Sequence, residues 1–211
     1  MVAHVDPVRG SALNERELWR EMVRWSGGRI VEERGPEHED LERAALAAGF
    51  RAGWTERPMT IGRPPSPVAT PDNVDVRIVA DASAVVAYGR IVARANDDPG
   101  ERERAPLLFH DETIIAPHVA AFIAYLDAEP VACAMTLVSH RVAGVFYVAT
   151  VEHARRRGLA DALTRIAART GFEMGADTAW LGASEMGAGL YRRIGFQDLG
   201  STLVELESPT A

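Results

Sequence analysis

Residues 144–163 of the chain read GVFYVATVEHARRRGLADAL, and this stretch decides the fold. Its first eight residues, Gly144–Val151, form an apolar run with almost no polar alternation, which is typical of a strand covered on both faces. A helical pattern begins at Leu159 and continues to about Gly175. The stretch therefore predicts a central strand, a short basic loop and an amphipathic helix in succession.

The basic loop carries three arginines, Arg155–Arg157, directly before the predicted helix. The first turn of a helix exposes unpaired N–H groups and positive partial charge, so each exposed cation there costs about 0.3–1 kcal/mol. The placement becomes favourable if a multiply charged anion binds at that turn. Gly158 and Ala160 would let the anion approach the backbone closely. We expect a pyrophosphate cradle here; the alternative is an ordinary helix start with solvated arginines.

A second motif, LYRRIGF, occupies residues 190–196. Leu190 and Ile194 have the spacing of core residues on a short helix. Gly195 predicts the end of that helix, and Phe196 the start of a strand. Tyr191 either packs in the core or turns its phenol toward a ligand.

Together the two motifs resemble the GCN5-related N-acetyltransferase (GNAT) family. Residues 149–163 (ATVEHARRRGLADAL) are similar to its acetyl-CoA motif, in which a central strand runs into Q/R-x-x-G-x-G/A. Residues 184–196 (SEMGAGLYRRIGF) are similar to its following strand, helix and Tyr-x-x-x-Gly-Phe segment. Ala160 replaces the commoner glycine. Many members also have an asparagine a few residues before the tyrosine, whereas Ser184 ends the strand here.

The resemblance covers about residues 72–211 and implies an α/β (α+β) fold of the GNAT type. Such a fold has a mixed, mostly antiparallel central sheet flanked by helices, here with a small N-terminal α/β extension. The predicted domains are an extension at 1–62, a Pro-rich linker at 63–73 and a GNAT domain at 74–211. One interpretation of the extension is a degenerate GNAT-like half.

Within the GNAT domain, apolar runs predict three successive strands at Val119–Leu126, Val131–Val138 and Gly144–Val151. Glu129-Pro130 is expected to mark the first turn between them. Ser83 is a candidate N-cap for the helix predicted at Ser83–Ala95.

The resemblance also implies a donor site for acetyl-CoA as co-substrate. The amides of about Arg156–Asp161 would hold the CoA pyrophosphate, with the arginines near the phosphates. The backbone of the preceding strand would pair with pantetheine as a further strand would, provided that the next strand splays away. Ser184 would bridge to CoA or cap the following helix. The predicted cofactor-binding residues are Val148, Thr150, Val151, Arg155, Arg156, Arg157, Gly158, Leu159, Ala160, Asp161 and Ser184.

Tyr191 is the predicted catalytic residue, since it matches the tyrosine that protonates the departing CoA thiolate in many members of the family. The implied reaction is a direct transfer, in which an amine attacks the thioester and backbone N–H groups polarise its carbonyl. An ordinary phenol, with a pKa of about 10, is a suitable acid for a thiolate whose conjugate acid has a pKa of about 8.5.

The general base and the acceptor are not identified by the sequence. Glu152 and His153 lie beside the cradle, His140 lies at a predicted turn, and residues 110–112 (HDE) lie in the region that usually shapes the acceptor site. For each of these residues the alternative is an ordinary charged residue on the protein surface. A chain of water molecules is an alternative to any side chain as the general base. The segment from about Ala95 to Pro117 is expected to select the acceptor. A small amine, an amino acid, an aminoglycoside-like molecule and a protein lysine or N-terminus all stay open.

Composition restricts the partners and the compartment. The 211 residues carry a net charge of −7, which argues against nucleic-acid binding. Cys133 is the only cysteine, so no internal disulfide can form, and the cytoplasm is the expected location. No run approaches the length of a membrane span. The six histidines show neither H-x-x-x-H nor H-E-x-x-H spacing, so no metal is expected.

Three classes of function stay open. The first is an acetyl-CoA-dependent N-acetyltransferase acting on a small-molecule or protein amine, with which a homodimer is compatible. The second is a non-catalytic acyl-CoA-binding or regulatory module that uses residues 1–70 as a partner surface. The third is a dinucleotide or nucleotide binder that uses the same cradle. The intact pair of motifs favours the enzyme.

Overall fold

The computed structural model describes residues 29–34, 39–95 and 109–207, which form a mixed α/β fold. The strands are β1 Arg29–Arg34, β2 Arg51–Ile61, β3 Val74–Ile78, β4 Val119–Leu126, β5 Glu129–Ser139, β6 Val142–Thr150, β7 Thr178–Ala183, β8 Gln197–Asp198 and β9 Thr202–Glu207. The helices are α1 Glu39–Ala47, α2 Ala82–Ala95, α3 Asp111–Ile114, α4 Leu159–Glu173 and α5 Glu185–Ile194. The expected mostly antiparallel sheet with flanking helices is confirmed.

Two compact units divide the chain. The first contains the described residues up to Pro58, together with Gly182–Ala188 and residues 198–207. In it the C-terminal strand β9 pairs antiparallel with both β1 and β2. Its small core contains Ala45 and Phe50 from the α1 region and Val204 and Leu206 from β9. The N-terminal segment therefore shares its sheet and core with the end of the chain.

The second unit contains Met59–Leu181 and Gly189–Gln197. Strands β3, β4, β5 and β6 follow one another as antiparallel neighbours, and β7 joins β6 in parallel. Six of the eight residues of β4 and six of the eleven residues of β5 are buried, as the apolar runs predict. The three predicted strands are thus confirmed, although the first turn falls at Asp127 and Ala128, both at positive φ, and Glu129-Pro130 already belongs to β5.

Helices α2 and α4 pack on β5 and β6 from opposite faces. A Cβ at Gly171 of α4 would overlap Ala143 and lie 3.0 Å from Thr136 Oγ1, so this glycine permits the helix to approach closely. Tyr88 of α2 lies instead beside Cys133. Thr136 and Cys133 are three residues apart on β5, and residues an odd number apart on a strand face opposite sides.

The start of α2 differs from the prediction. Asp81, rather than Ser83, caps the helix, because Asp81 Oδ1 accepts hydrogen bonds from Ala84 N at 3.0 Å and from Ser83 Oγ at 2.6 Å. The hydrogen bond from the Ser83 side chain lowers the pKa of Asp81. Asp and Ser are both good caps, and the sequence does not distinguish them when they stand two residues apart.

Two residues of the Pro-rich segment accept hydrogen bonds from α4. Arg165 Nη1 donates to Ser66 O at 2.9 Å, and Arg169 Nη1 donates to Pro65 O at 3.1 Å. Backbone carbonyls of a segment without regular structure thus find partners on the helix that begins at the predicted cradle.

Two carboxyl groups lie close together in the first unit. Glu205 of β9 is only 3% exposed, and Glu56 of β2 is largely buried. A Cβ at Gly53 would lie 2.8 Å from Glu205 Oε2, so this glycine leaves room for the carboxylate. Burial, followed by the like charge of Glu205, raises the pKa of Glu56 to about 6.

Glu56→Gln should therefore stabilise the protein at neutral pH. The raised pKa means that the folded state binds the Glu56 proton more tightly than the unfolded state does. Protonated Glu56 therefore contributes fully to the free energy of unfolding below about pH 4.5, and this contribution is lost as the pH rises through about 6. We expect the variant to gain about 1–2 kcal/mol in the free energy of unfolding at pH 7 and little at pH 4. Urea unfolding at both pH values measures this. The exposed Glu173→Gln is the control, and a pH-independent difference for Glu56→Gln would contradict the prediction.

Candidate functional site

Strands β6 and β7 separate shortly after they begin. Their parallel pairing joins Val142–Gly144 to Thr178–Trp180 and, within the described chain, extends no further. Trp180, of the last pair, has its ring at a centroid distance of 5.8 Å from that of Phe146, which lies two residues beyond Gly144. The splay that pantetheine binding requires is present. It leaves the second half of β6 without β7 as a neighbour, which is why only the first half of this strand is well buried.

A bulge interrupts β6 in its open half. Cys133 of β5 pairs with Ala149 and Met135 pairs with Phe146, so Ala134 opposes two residues, Tyr147 and Val148. Tyr147 has a φ of 50°, which is unusual for a bulky side chain, and 42% of it is exposed. Strained backbone of this kind concentrates at functional sites, and the sequence gives no sign of it because no glycine marks the position.

The end of β6 presents backbone groups to the open side. Val151 donates its N–H to Val131 O of the β5 side at 2.9 Å, so its amide is already used. Backbone groups of alternate residues in a strand point to opposite edges, so those of Thr150 point away from β5. The Thr150 carbonyl accepts a hydrogen bond from Arg155 Nε at 3.2 Å. The buried Thr150 hydroxyl makes no hydrogen bond to any residue that the structure describes.

Arg155 connects two elements instead of extending freely. Besides its bond to Thr150, its Nη2 donates to Ala95 O, the last carbonyl of α2, at 3.1 Å. Its guanidinium thus lies between the end of β6 and the end of α2. Arg156 and Arg157 are exposed in the same loop.

The loop that follows forms a concave run of amides before α4. Arg156 has a φ of 64° and Gly158 a φ of 80°, and left-handed residues of this kind turn successive N–H groups toward one point. Gly158 is the N-cap, and no side chain among the described residues caps the helix. The first helical hydrogen bond runs from Ala162 N to Gly158 O, so the amides of Leu159, Ala160 and Asp161 have no partner inside the helix.

The space beside Gly158 is not filled by the described part of the chain. A Cβ at Gly158 would have no heavy atom of the described residues within 4 Å. The Asp161 carboxylate accepts a hydrogen bond from Arg165 Nε at 2.6 Å, which turns this negative charge along the helix. The turn can therefore receive an anion, as the predicted cradle requires.

Tyr191 lies on α5, and Ser184 directly precedes this helix. Tyr191 is 9% exposed, and its ring packs edge-on against that of Phe196 with 6.2 Å between the ring centroids. Its carbonyl accepts from Gly195 N and Phe196 N, where Gly195, at a φ of 115°, ends the helix as predicted. Ser184 Oγ accepts from Gly187 N at 3.2 Å, the geometry of a helix cap.

All the candidate bases are exposed residues. His153 Nε2 lies 3.4 Å from Glu129 Oε2, and His140 Nδ1 lies 2.8 Å from Ser139 Oγ. His110 precedes α3, whose first turn contains Asp111 and Glu112. Of the segment expected to select the acceptor, residues 96–108 lie outside the described residues. No three His, Cys, Asp or Glu side chains in the described ranges are grouped as metal ligands.

Sequence reasoning missed a cluster behind the bulge, formed by Tyr88, Phe109, Cys133 and Tyr147. The Phe109 ring lies 5.1 Å from that of Tyr88 and 4.9 Å from that of Tyr147, both edge-on. Cys133 Sγ lies 3.5 Å from the Tyr147 carbonyl oxygen. No spacing in the sequence connects these residues, because they come from four separate segments.

Across the part of the chain that the structure describes, no helix has the length and apolarity to cross a membrane.

Comparisons with known proteins agree with this geometry. No curated protein matches the chain. Among solved structures, a GCN5-related N-acetyltransferase from Kribbella flavida is 24% identical with a TM-score of 0.68, over 94% of this chain and 78% of its own. A GCN5-related N-acetyltransferase from Sphaerobacter thermophilus is 17% identical with a TM-score of 0.63, over 92% of this chain and 69% of its own. A tandem GNAT protein from the clavulanic acid biosynthesis pathway is 12% identical with a TM-score of 0.59, over 93% of this chain and 70% of its own. These likenesses show the fold.

The sequence model of the acetyltransferase (GNAT) family matches residues 86–196, which is more than half of the chain. The matched region runs from α2 to Phe196 and includes the splayed β6, the amide turn and Tyr191. The chain therefore belongs to the acetyltransferase (GNAT) family.

Proposed function

We propose that this protein is an N-acetyltransferase that moves an acetyl group from acetyl-CoA to an amine by direct attack. One observation carries the proposal: beyond Gly144 no described strand covers the outer edge of β6, and this strand leads through the single helical turn Glu152–Ala154 into the amide turn at Arg156–Asp161, which no described side chain caps. An extended thioester arm and a pyrophosphate, joined in one molecule, need these two features in that order.

In this proposal the amides and arginines of residues 155–161 bind the pyrophosphate, and Val148 and Thr150 hydrogen-bond to pantetheine through their backbone. The Val151 amide donates to Val131 O and the Val151 carbonyl accepts from Ala154 N, so Val151 contributes packing alone. Arg155 serves the donor by holding the Thr150 carbonyl in place through Nε, while its Nη2 donates to Ala95 O. The observed capping by Ser184 favours a role for this residue in orienting α5.

The proposed chemistry balances without a metal. The amine nitrogen forms a bond to the thioester carbon while backbone N–H groups of β6 polarise the carbonyl oxygen. The C–S bond then breaks, its electron pair stays on sulfur, and the Tyr191 hydroxyl supplies the proton that makes the free CoA thiol. The amine loses one proton to water, and the Tyr191 phenolate takes up one proton from water, which restores the enzyme. The exposure of every candidate base favours water as the carrier.

The acceptor in this proposal is a small-molecule amine or a protein amine. The N-terminal extension as a degenerate GNAT half remains part of the proposal. It is supported by the likeness to the tandem GNAT protein, which extends over 93% of the chain at 12% identity.

The test is an acceptor screen that follows release of the CoA thiol from acetyl-CoA, with reactions that lack acceptor as the control for hydrolysis. Thiol release that depends on an amine supports the enzyme. Binding of CoA without release across small amines, amino acids, aminoglycosides and lysine peptides would indicate a non-catalytic acyl-CoA-binding module. Displacement of CoA by NAD or ATP at similar concentration would indicate a nucleotide binder.

A further inference from the structure

The cluster of Tyr88, Phe109, Cys133 and Tyr147 lies directly behind the β6 bulge. The Cys133 thiol is fully buried and lies 3.5 Å from the Tyr147 carbonyl oxygen, within range of a hydrogen bond from sulfur. Tyr88 is fully buried beside it, and its hydroxyl makes no hydrogen bond of ordinary geometry with the residues described. The Phe109 ring contacts the rings of Tyr88 and Tyr147 edge-on. The bulge therefore packs against buried aromatic rings and the buried Cys133 thiol.

The thiol can donate a hydrogen bond in this position. Burial raises the pKa of Cys133 far above its ordinary range, so the sulfur keeps its proton at every physiological pH. A protonated thiol beside a carbonyl oxygen donates to it. Tyr147 keeps the strained φ of 50° with its carbonyl turned to this donor.

The direction of the Tyr147 carbonyl determines the direction of the next amide. The described chain contains no cis peptide bond, and in a trans peptide the C=O and the following N–H point to opposite sides. With the Tyr147 carbonyl turned inward to Cys133, the Val148 N–H points the other way, toward the edge of β6 that β7 leaves open.

We infer that Cys133 is a positioning residue that aims the Val148 N–H at the acetyl thioester by holding the Tyr147 carbonyl. The inference rests on the proposed function, since the thioester carbonyl would lie along this edge. A preorganised N–H donor is worth most when it cannot rotate away, and the Cys133 contact supplies that restraint without touching the substrate.

Cys133→Val tests this, because it removes the donor and keeps an apolar side chain, one heavy atom larger than that of cysteine. We expect kcat to fall about tenfold or more while the Kd of acetyl-CoA stays within about twofold. Cys133→Ser, which restores a donor, should recover part of the loss. The matched control is Thr136→Val on the same strand: it also removes a buried polar atom, but it faces α4, and it should leave kcat unchanged.

A crystal structure of Cys133→Val gives a readout that does not depend on activity. The inference expects Tyr147 to leave the positive-φ region, whereas retention of that conformation overturns the inference whatever the kinetics. Equal kcat values for Cys133→Val and Thr136→Val also overturn it. If the wild-type protein transfers no acetyl group, the proposed function fails, and the crystallographic comparison still decides the role of Cys133. Should Cys133→Val fail to fold, Cys133→Ala serves the same comparison.

Discussion

Tyr191→Phe should lower kcat about a hundredfold and leave the Kd of acetyl-CoA within about twofold. The substitution removes one oxygen from a ring that is 9% exposed and packed against Phe196, so the helix and its core contacts are retained. In the proposed reaction that oxygen delivers the proton to the departing sulfur, and without it a thiolate must leave unprotonated. Loss of an interaction made only in the transition state lowers kcat without weakening binding.

The measurement is steady-state thiol release with the best acceptor from the screen, from pH 7 to pH 10. Tyr125→Phe is a matched control, because this half-buried tyrosine lies on β4 with its ring under Arg77 and takes no part in the proposed site. We expect the control to keep the wild-type kcat. Equal turnover of Tyr191→Phe and wild type across the alkaline range would exclude Tyr191 as the acid.

The elements that could be predicted are those whose cause is local. Strands β4 and β5 are continuous apolar runs, and Gly195 ends α5 because its φ of 115° suits glycine. The amide turn was predictable for the same reason, since a glycine precedes an amphipathic helix after a buried strand. Resemblance to a family then connected that turn with Tyr191, which no spacing rule does.

The features that could not be predicted depend on residues far apart in the chain. Arg155 reads as a phosphate ligand, but its guanidinium also finds the carbonyl of Ala95, 60 residues earlier. The C-terminal strand β9 joins the N-terminal β1 and β2, and alternation within a strand does not name its partners. The bulge at Tyr147 depends on a register shift against β5, and neither strand carries a signal for it.

Gly158→Ala should raise the Kd of acetyl-CoA about tenfold or more. The added methyl group would have no heavy atom of the described residues within 4 Å, so it overlaps none of them. That space is where the proposed pyrophosphate approaches the amides, and a phosphate pushed outward by a methyl group loses its short N–H contacts. Titration calorimetry with acetyl-CoA and with CoA measures the change, and both ligands should weaken equally because they share the pyrophosphate.

Strain must be separated from the loss of binding, since Gly158 has a φ of 80° and an L-residue there costs about 1–2 kcal/mol. Gly175 provides the control. It follows the other end of α4 and has a φ of 99°, and an added Cβ there would likewise have no heavy atom within 4 Å among the residues described. Gly175→Ala should therefore cost similar stability in urea unfolding and leave the Kd unchanged. If both variants weaken acetyl-CoA equally, strain in α4 explains the effect; if neither does, the pyrophosphate binds elsewhere than at this turn.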